Sequence, residues 1–215
     1  MTTIVVFSGG LDSTTALTQA LWEAPEGEPV VAMGFAYGQR HLKELGAARA
    51  IAAALEVPFR EVAVPVGMAS GSLLASSEGD VPLGPYEGEG MASTVVHGRN
   101  LLFASLAVAA AGAGGKVFLG VHGGDHDLYP DCRPEFWNAL SGLVREAYRV
   151  ELVTPYLNMT KAEIVGEADR LGAPLGMTWS CYLGGDLHCG ECGTCRERRA
   201  AFEAAGVTDP TDYEV

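Results

Sequence analysis

The chain has 215 residues, 48% of them hydrophobic, and a formal net charge of −13. That length supports one sizeable α/β domain with a small appendage and excludes two full domains. The acidic balance repels nucleic acid, and no basic run offers a local exception: Arg196, Arg198 and Arg199 are interleaved with Glu197 and Glu203 and read as a solvated helix face.

Met1 to Val6 is neither basic nor long enough for a signal peptide, which makes the cytoplasm the simplest location. Val5 to Ser13 then reads VVFSGGLDS, an apolar strand ending in a turn that feeds a helix beginning near Ser13. Gly9 and Gly10 let the backbone approach a polyanion with no Cβ in the way, and the Ser8 and Ser13 hydroxyls add donors. The free N–H groups and positive dipole end of the helix point at the same spot. No GxxxxGK[ST] occurs, so the lysine and magnesium-binding hydroxyl that position a γ-phosphate are missing. A phosphate turn without them suits cleavage between the α- and β-phosphates, with pyrophosphate leaving. The competing reading is a Ser/Gly turn in an ordinary strand-to-helix connection.

Further apolar runs follow at Val30 to Phe35, Phe59 to Val64, Val117 to Val121 and Glu151 to Thr154, after a first at Thr3 to Phe7. Helical spacing separates them over Ser13 to Glu23, Arg40 to Leu55, Arg99 to Gly112, Pro134 to Arg149 and Lys161 to Leu171. The alternation predicts a doubly wound, five-stranded parallel sheet with helices on both faces. In the fourth helix Phe136, Leu140, Leu143, Val144 and Ala147 form one apolar stripe, read as core. Leu101 to Gly115 is uncharged but Gly-broken and shorter than the ~20 residues of a membrane span, so it reads as a buried helix. Residues 65–92 are rich in Gly, Ser, Pro and Glu without a period, a loop that is either a lid over a nucleotide or disordered.

Sites in open α/β sheets lie beyond the carboxyl ends of the strands. The polar clusters after those ends are Tyr37-Gly38-Gln39-Arg40-His41, His122-Gly123-Gly124-Asp125 continuing to Tyr129-Pro130-Asp131-Cys132-Arg133, and Thr160-Lys161. They are expected to converge with the phosphate turn in one site. Lys161 could instead be a solvated first-turn lysine, although a helix N-terminus disfavours a cation.

Four of the five cysteines, Cys181, Cys189, Cys192 and Cys195, form a C-x7-C-x2-C-x2-C pattern. Two overlapping CxxC turns and a remote thiolate can close a tetrahedral zinc site, and four thiolates leave no open position, so the metal would hold the C-terminal region rather than do chemistry. A redox cluster is the alternative. Direct adjacency to Cys189 makes His188 an awkward ligand. Cys132, between Asp131 and Arg133, reads as a nucleophile or as a polarizable pocket wall; adenylation needs no protein nucleophile, which favours the wall.

SGGxDS resembles the signature of the PP-loop ATP pyrophosphatases. Over nearly its whole length, through FSGGLDSTT (Phe7 to Thr15), YGQRH (Tyr37 to His41), GRNLLF (Gly98 to Phe103), YPDCRPEF (Tyr129 to Phe136) and TWSCYLGG followed by CGECGTC (Thr178 to Cys195), the chain resembles the QueC family of 7-cyano-7-deazaguanine synthases. The resemblance implies a PP-loop ATP pyrophosphatase domain over 1–175 with a zinc-binding region over 176–215. It implies ATP-dependent conversion of 7-carboxy-7-deazaguanine and ammonia to the nitrile through an adenylate and an amide, in the queuosine and 7-deazapurine pathway, by a homodimer using ATP, Mg2+ and one structural Zn2+ per subunit. Carried onto this sequence, ATP falls to Phe7, Ser8, Gly9, Gly10, Leu11, Asp12, Ser13, Thr14, Thr15 and Leu17 with Arg99 and Asn100, which read equally as a helix start and cap. Asp12 is placed near magnesium or pyrophosphate, and Lys161 near the charge that builds on phosphate. Tyr37, Gln39, Arg40, Asp125, Tyr129, Asp131 and Arg133 fall to the deazapurine, with Arg133 meeting its carboxylate and Asp131 or Asp125 accepting from its amino and ring N–H groups. The segment from His122 to Leu128, where the family pattern leads one to expect Asn and Asp-Tyr-Ser-Gly, and Ala36 in place of an Asp, bear on the product. They motivate an alternative in which the adenylate stops at the amide or passes to another amine, on a protein partner. His126 is then a candidate general base or a solvent-facing side chain.

Overall fold

Short runs of β-branched and aromatic residues, apolar on both faces at the centre of the sheet, become five strands: β1 (Thr3–Val6), β2 (Val30–Ala36), β3 (Phe59–Ala63), β4 (Lys116–Phe118) and β5 (Glu151–Val153). The computed structural model describes residues 1–38, 43–64, 95–126 and 129–215; Gln39, Arg40 and the 65–92 loop fall outside them. The sheet runs β3-β2-β1-β4-β5. All four pairings are parallel, with Thr3 opposite both Val30 and Lys116, so β1 is the central strand. The chain winds outward from β1 in one direction and then the other, and the crevice beside β1 at the strands' carboxyl ends is where such a sheet holds a ligand.

The helices follow their local signals. Helix α1 (Leu11–Glu23) begins within the SGGLDS turn, with Gly10 in extended conformation as its N-cap. Helix α2 (Lys43–Ala54) and helix α3 (Arg99–Ala111) come next, α3 entered through Gly98 at φ 70°. Helix α4 (Pro134–Tyr148) starts on a proline, whose fixed φ suits the first turn. Helix α5 (Lys161–Leu171) has a full capping box, Thr160 accepting from the Glu163 N–H while Glu163 reaches back to Thr160, and ends on left-handed Gly172. Helix α6 (Gly193–Ala205) grows out of the cysteine cluster.

One core lies between the sheet and α1, α2, α5 and α6, centred on Phe7, Leu17, Ile51, Phe118, Ile164 and Phe202. The other, with Phe35, Phe103, Val117, Trp137 and Leu152, lies under α3 and α4. Two expectations change here. The stripe on α4 is only partly core: Val144 is buried, but Leu143 is 61% exposed and Ala147 is exposed, because α4 sits over the β5 edge of the sheet and Trp137 fills its inner side. On α6, Arg196 and Arg199 are exposed as a solvated face requires, whereas Arg198 is 1% exposed. Its guanidinium is held by Thr178 Oγ1 at 2.8 Å, the Leu175 carbonyl at 3.0 Å and Thr211 Oγ1 at 2.7 Å, with Asp209 at 3.4 Å. A buried arginine needs this many acceptors, and it ties α6 to the segments on either side of the cysteines. No described helix is long and apolar enough to cross a membrane.

Candidate active site

The turn after β1 is stitched by its own hydroxyls. Ser13 Oγ accepts from the Ser8 N–H at 3.2 Å and donates to the Gly10 carbonyl at 3.2 Å, while Ser8 Oγ accepts from the Gly10 N–H at 3.2 Å. Gly9 has φ 85°, and a Cβ there would lie 2.5 Å from the Ala48 nitrogen, so the turn packs backbone to backbone on α2. At Gly120, just past β4, a Cβ would meet Ser13 N at 2.9 Å, which lets the start of α1 rest on the neighbouring strand end. These close approaches hold the turn open toward a cavity of about 270 Å3.

Beside that turn Asp12, Lys161 and Glu197 line the cavity, with His122 in contact with Lys161. Lys161 Nζ donates to Asp12 Oδ2 at 2.7 Å, lies 3.6 Å from Glu197 Oε2 and is 3.1 Å from His122 Nε2. His122 is 2% exposed, and its Nδ1 accepts from the Gly124 N–H at 3.1 Å. Burial works to raise the Asp12 pKa, but the Lys161 and His122 charges and the Lys161 hydrogen bond outweigh it and hold the carboxyl below the usual carboxylate range. Asp12 Oδ1 is buried and takes no hydrogen bond, an orphaned anionic oxygen that fits a magnesium ion. The solvated reading of Lys161 is overturned: its side chain is 17% exposed and points into the crevice.

The other end is aromatic. Phe35 and Phe103 stack with ring centroids 4.1 Å apart and planes 4° from parallel, and Tyr37 tilts onto Phe103 at 5.5 Å. Arg99 hydrogen-bonds the Tyr37 side chain, and Tyr129, Cys132 and Asn100 close that wall. Asn100 Nδ2 donates to Cys132 Sγ at 3.5 Å, placing the thiol in the cavity wall.

The converging segments therefore meet, but not every residue in them does. Phe7, Ser8, Gly10, Leu11, Asp12, Ser13, Tyr37, Arg99, Asn100, Tyr129 and Lys161 face the cavity. Thr14, Thr15 and Leu17 are fully buried behind the turn, Thr15 Oγ1 bonding the Leu11 carbonyl, and support it from the core. Asp131 is turned away: its Oδ2 accepts from the Asn100 N–H at 3.3 Å and caps α3. Arg133 is exposed outside the cavity, its Nε donating to the His126 carbonyl at 2.9 Å, so it braces the preceding loop. Asp125 lies in a short 3-10 turn, and its side chain is outside the described set. Glu44, Trp179, Tyr182 and Glu197 also line the cavity. Sequence reasoning did not single them out as site residues, because their placement depends on how α2, α6 and the cysteine region pack rather than on any local motif.

Cys181, Cys189, Cys192 and Cys195 are buried, with sulfurs within 4.8 Å of one another. The Cys189 and Cys195 sulfurs are 3.9 Å apart, too far for a disulfide and close to the ~3.8 Å that tetrahedral zinc with ~2.3 Å bonds requires. Hydrogen bonds among the sulfurs pull the Cys192 thiol well down and push Cys195 well up, since a neighbouring thiolate opposes a second ionisation that a dication would favour. These residues fit a metal ion. His188 stands beside them without joining, its Nε2 accepting from the Ser180 N–H at 3.1 Å.

A family model described as queuosine biosynthesis protein QueC matches residues 2–206. The chain belongs to the QueC family. A 7-cyano-7-deazaguanine synthase of Rhizobium etli is 47% identical over 222 residues, covering 100% of this chain and 92% of the relative. The synthase of Agrobacterium fabrum is 47% identical at the same coverages, and that of Pseudoalteromonas translucida 42% identical over 98% of each. Among solved structures, an NMN synthetase from Francisella tularensis aligns with TM-score 0.49 and 14% identity over 96% of this chain and 77% of its own, a likeness too distant to bear on function.

Proposed function

We propose that this protein converts 7-carboxy-7-deazaguanine and ammonia to 7-cyano-7-deazaguanine at the expense of two ATP. The observation that carries the reading is one cavity lined by the SGGLDS turn, the part-buried Lys161 and an aromatic wall, in a chain of the QueC family. In the first half-reaction a carboxylate oxygen attacks the α-phosphorus of ATP and pyrophosphate leaves. Ammonia then adds to the acyl carbon, AMP leaves with the C–O bond, and a proton is lost. In the second, the amide oxygen attacks a second α-phosphorus and displaces pyrophosphate, and loss of AMP with the nitrogen's two protons leaves the C≡N bond.

In this scheme the N–H groups of the first turn of α1 hold the departing pyrophosphate. Lys161 swings from Asp12 to the phosphate oxygens as negative charge builds there. Asp12, with its orphaned Oδ1, would hold Mg2+, which offsets phosphate charge when bound. Arg99 and Asn100, which line the cavity, would contact the nucleotide. The four cysteines would hold one structural Zn2+. The family resemblance implies a homodimer, which light scattering would register as twice the 22.5 kDa of one chain.

The test is to incubate the purified chain with 7-carboxy-7-deazaguanine, ATP, magnesium and ammonium and to follow pyrophosphate and product mass. The expected result is two pyrophosphates per nitrile, with a transient amide. A product mass that stops at the amide, or no substrate-dependent pyrophosphate, overturns the reading.

A further inference from the structure

A deazaguanine presents two adjacent donors, its ring N–H and its exocyclic amino group, and that edge calls for a pair of acceptors fixed side by side. Asp131, one acceptor the sequence offers, is spent on capping α3. Among the described residues the carboxylates that line the cavity are Asp12, Glu44 and Glu197. Asp12 and Glu197 flank Lys161 at the phosphate end. Glu44 is the remaining one, carried on the first turn of α2, and it shares the cavity with the aromatic wall of Phe35, Tyr37 and Phe103. Flat aromatic faces beside a carboxylate suit a planar heterocycle.

The state of Glu44 points the same way. Burial pushes its pKa up to about 7 against the opposing charge of Arg99, and no hydrogen bond to a described residue satisfies the carboxyl. A carboxyl kept only for the helix dipole would gain as much from a fully exposed position on the same turn, whereas Glu44 is partly buried on the cavity wall. The carboxyl opens onto the cavity, and accepting two ligand N–H groups there would favour its ionised form. The position is also well fixed, because the Gly9 turn rests on the backbone of Glu44 and Ala48.

We infer that Glu44 is the specificity-determining residue for the heterocycle, its two carboxylate oxygens accepting from the ring N–H and the exocyclic amino group of the deazaguanine. The inference rests on the proposed reaction and adds the group that selects its substrate. A neutral amide at this position offers one acceptor and one donor, and the donor faces the exocyclic amino group.

The experiment compares 7-carboxy-7-deazaguanine with the analogue lacking the exocyclic amino group, following pyrophosphate release by the native chain and by Glu44→Gln and Glu44→Asp. The native chain should favour the amino substrate roughly 10- to 100-fold in kcat/KM, the discrimination of one good paired contact. Glu44→Gln should lose about that factor on the amino substrate through KM, change little on the analogue, and leave KM for ATP unmoved. Glu44→Asp keeps both acceptors and should preserve the order of preference. A native preference that survives in Glu44→Gln, or a rise in KM for ATP instead, overturns the inference while the proposed reaction stands. Absence of pyrophosphate from the native chain with both compounds overturns the proposed reaction itself.

Discussion

Lys161 is shared between two carboxylates and an imidazole, and a cation so surrounded can be lent to a phosphate without leaving Asp12 unaccompanied, since His122 Nε2 stays 3.9 Å from its Oδ2. Lys161→Ala should therefore lower kcat by about 10²- to 10³-fold, the usual scale for one preorganised charge at a developing anion, with the fold intact by circular dichroism. Asp12 and Glu44 have opposite acid–base signatures. The Asp12 pKa is lowered in the fold, so its contribution to stability is present above the unfolded carboxylate value and lost as pH falls below that value through the lower folded one. Glu44 is raised to about 7, so the folded state binds its proton more tightly than the unfolded state does, and stability falls as pH rises from about 4.5 to about 7. Glu44→Gln should thus be more stable than the native chain at pH 8, by an amount on the order of 1–3 kcal/mol, with the gap closing toward pH 4.5. Urea unfolding across that range measures it, and a gap that does not change with pH would contradict the burial of an ionisable Glu44.

At the scale of elements, the active site depends on backbone surfaces in contact. Gly9→Ala would place a Cβ 2.5 Å from the Ala48 nitrogen at φ 85°, whereas Gly27, at φ 82°, has nothing within 4 Å of such a Cβ. Strain in φ alone costs roughly 1–2 kcal/mol, so Gly27→Ala should stay near that value. Gly9→Ala should exceed it by about 1–3 kcal/mol and displace the turn from α2, seen as a larger loss of unfolding free energy together with weaker ATP binding. The same contrast explains what the chain made legible. Helix α5 has the predicted limits, Lys161–Leu171, because its capping box and its terminal glycine are local signals. The five strands lie where apolar runs were seen, each within a few residues. The burial of Arg198 and the turning of Asp131 onto α3 are decided between elements, where adjacency in space has no counterpart in spacing along the chain. Glu44 belongs to that class as well: nothing in KELGAARA separates it from an ordinary first-turn glutamate until the Gly9 turn is laid against it.

Across the whole molecule, the cysteine cluster and the cavity are joined by one rigid element. Helix α6 carries Cys195 at its start, Glu197 on the cavity wall, Arg198 in the buried network and Phe202 in the core with α1 and α5. A clasp that only secured the tail could open without consequence for the chemistry, but here opening it would free the first turn of α6, which brings Glu197 to 3.6 Å from Lys161. Metal content measured on the purified chain should give one zinc per chain. Removing it with a strong chelator should lower the melting temperature by roughly 10 °C, as the loss of a few kcal/mol does in a domain of this size, and Cys192→Ser should reproduce the shift. Activity should fall at temperatures well below the new melting point, where the sheet and its core remain folded, and zinc should restore both in the native chain. If turnover per folded molecule were unchanged after chelation, α6 would be held by the Arg198 network and Phe202 alone, and the clasp would have no part in shaping the site.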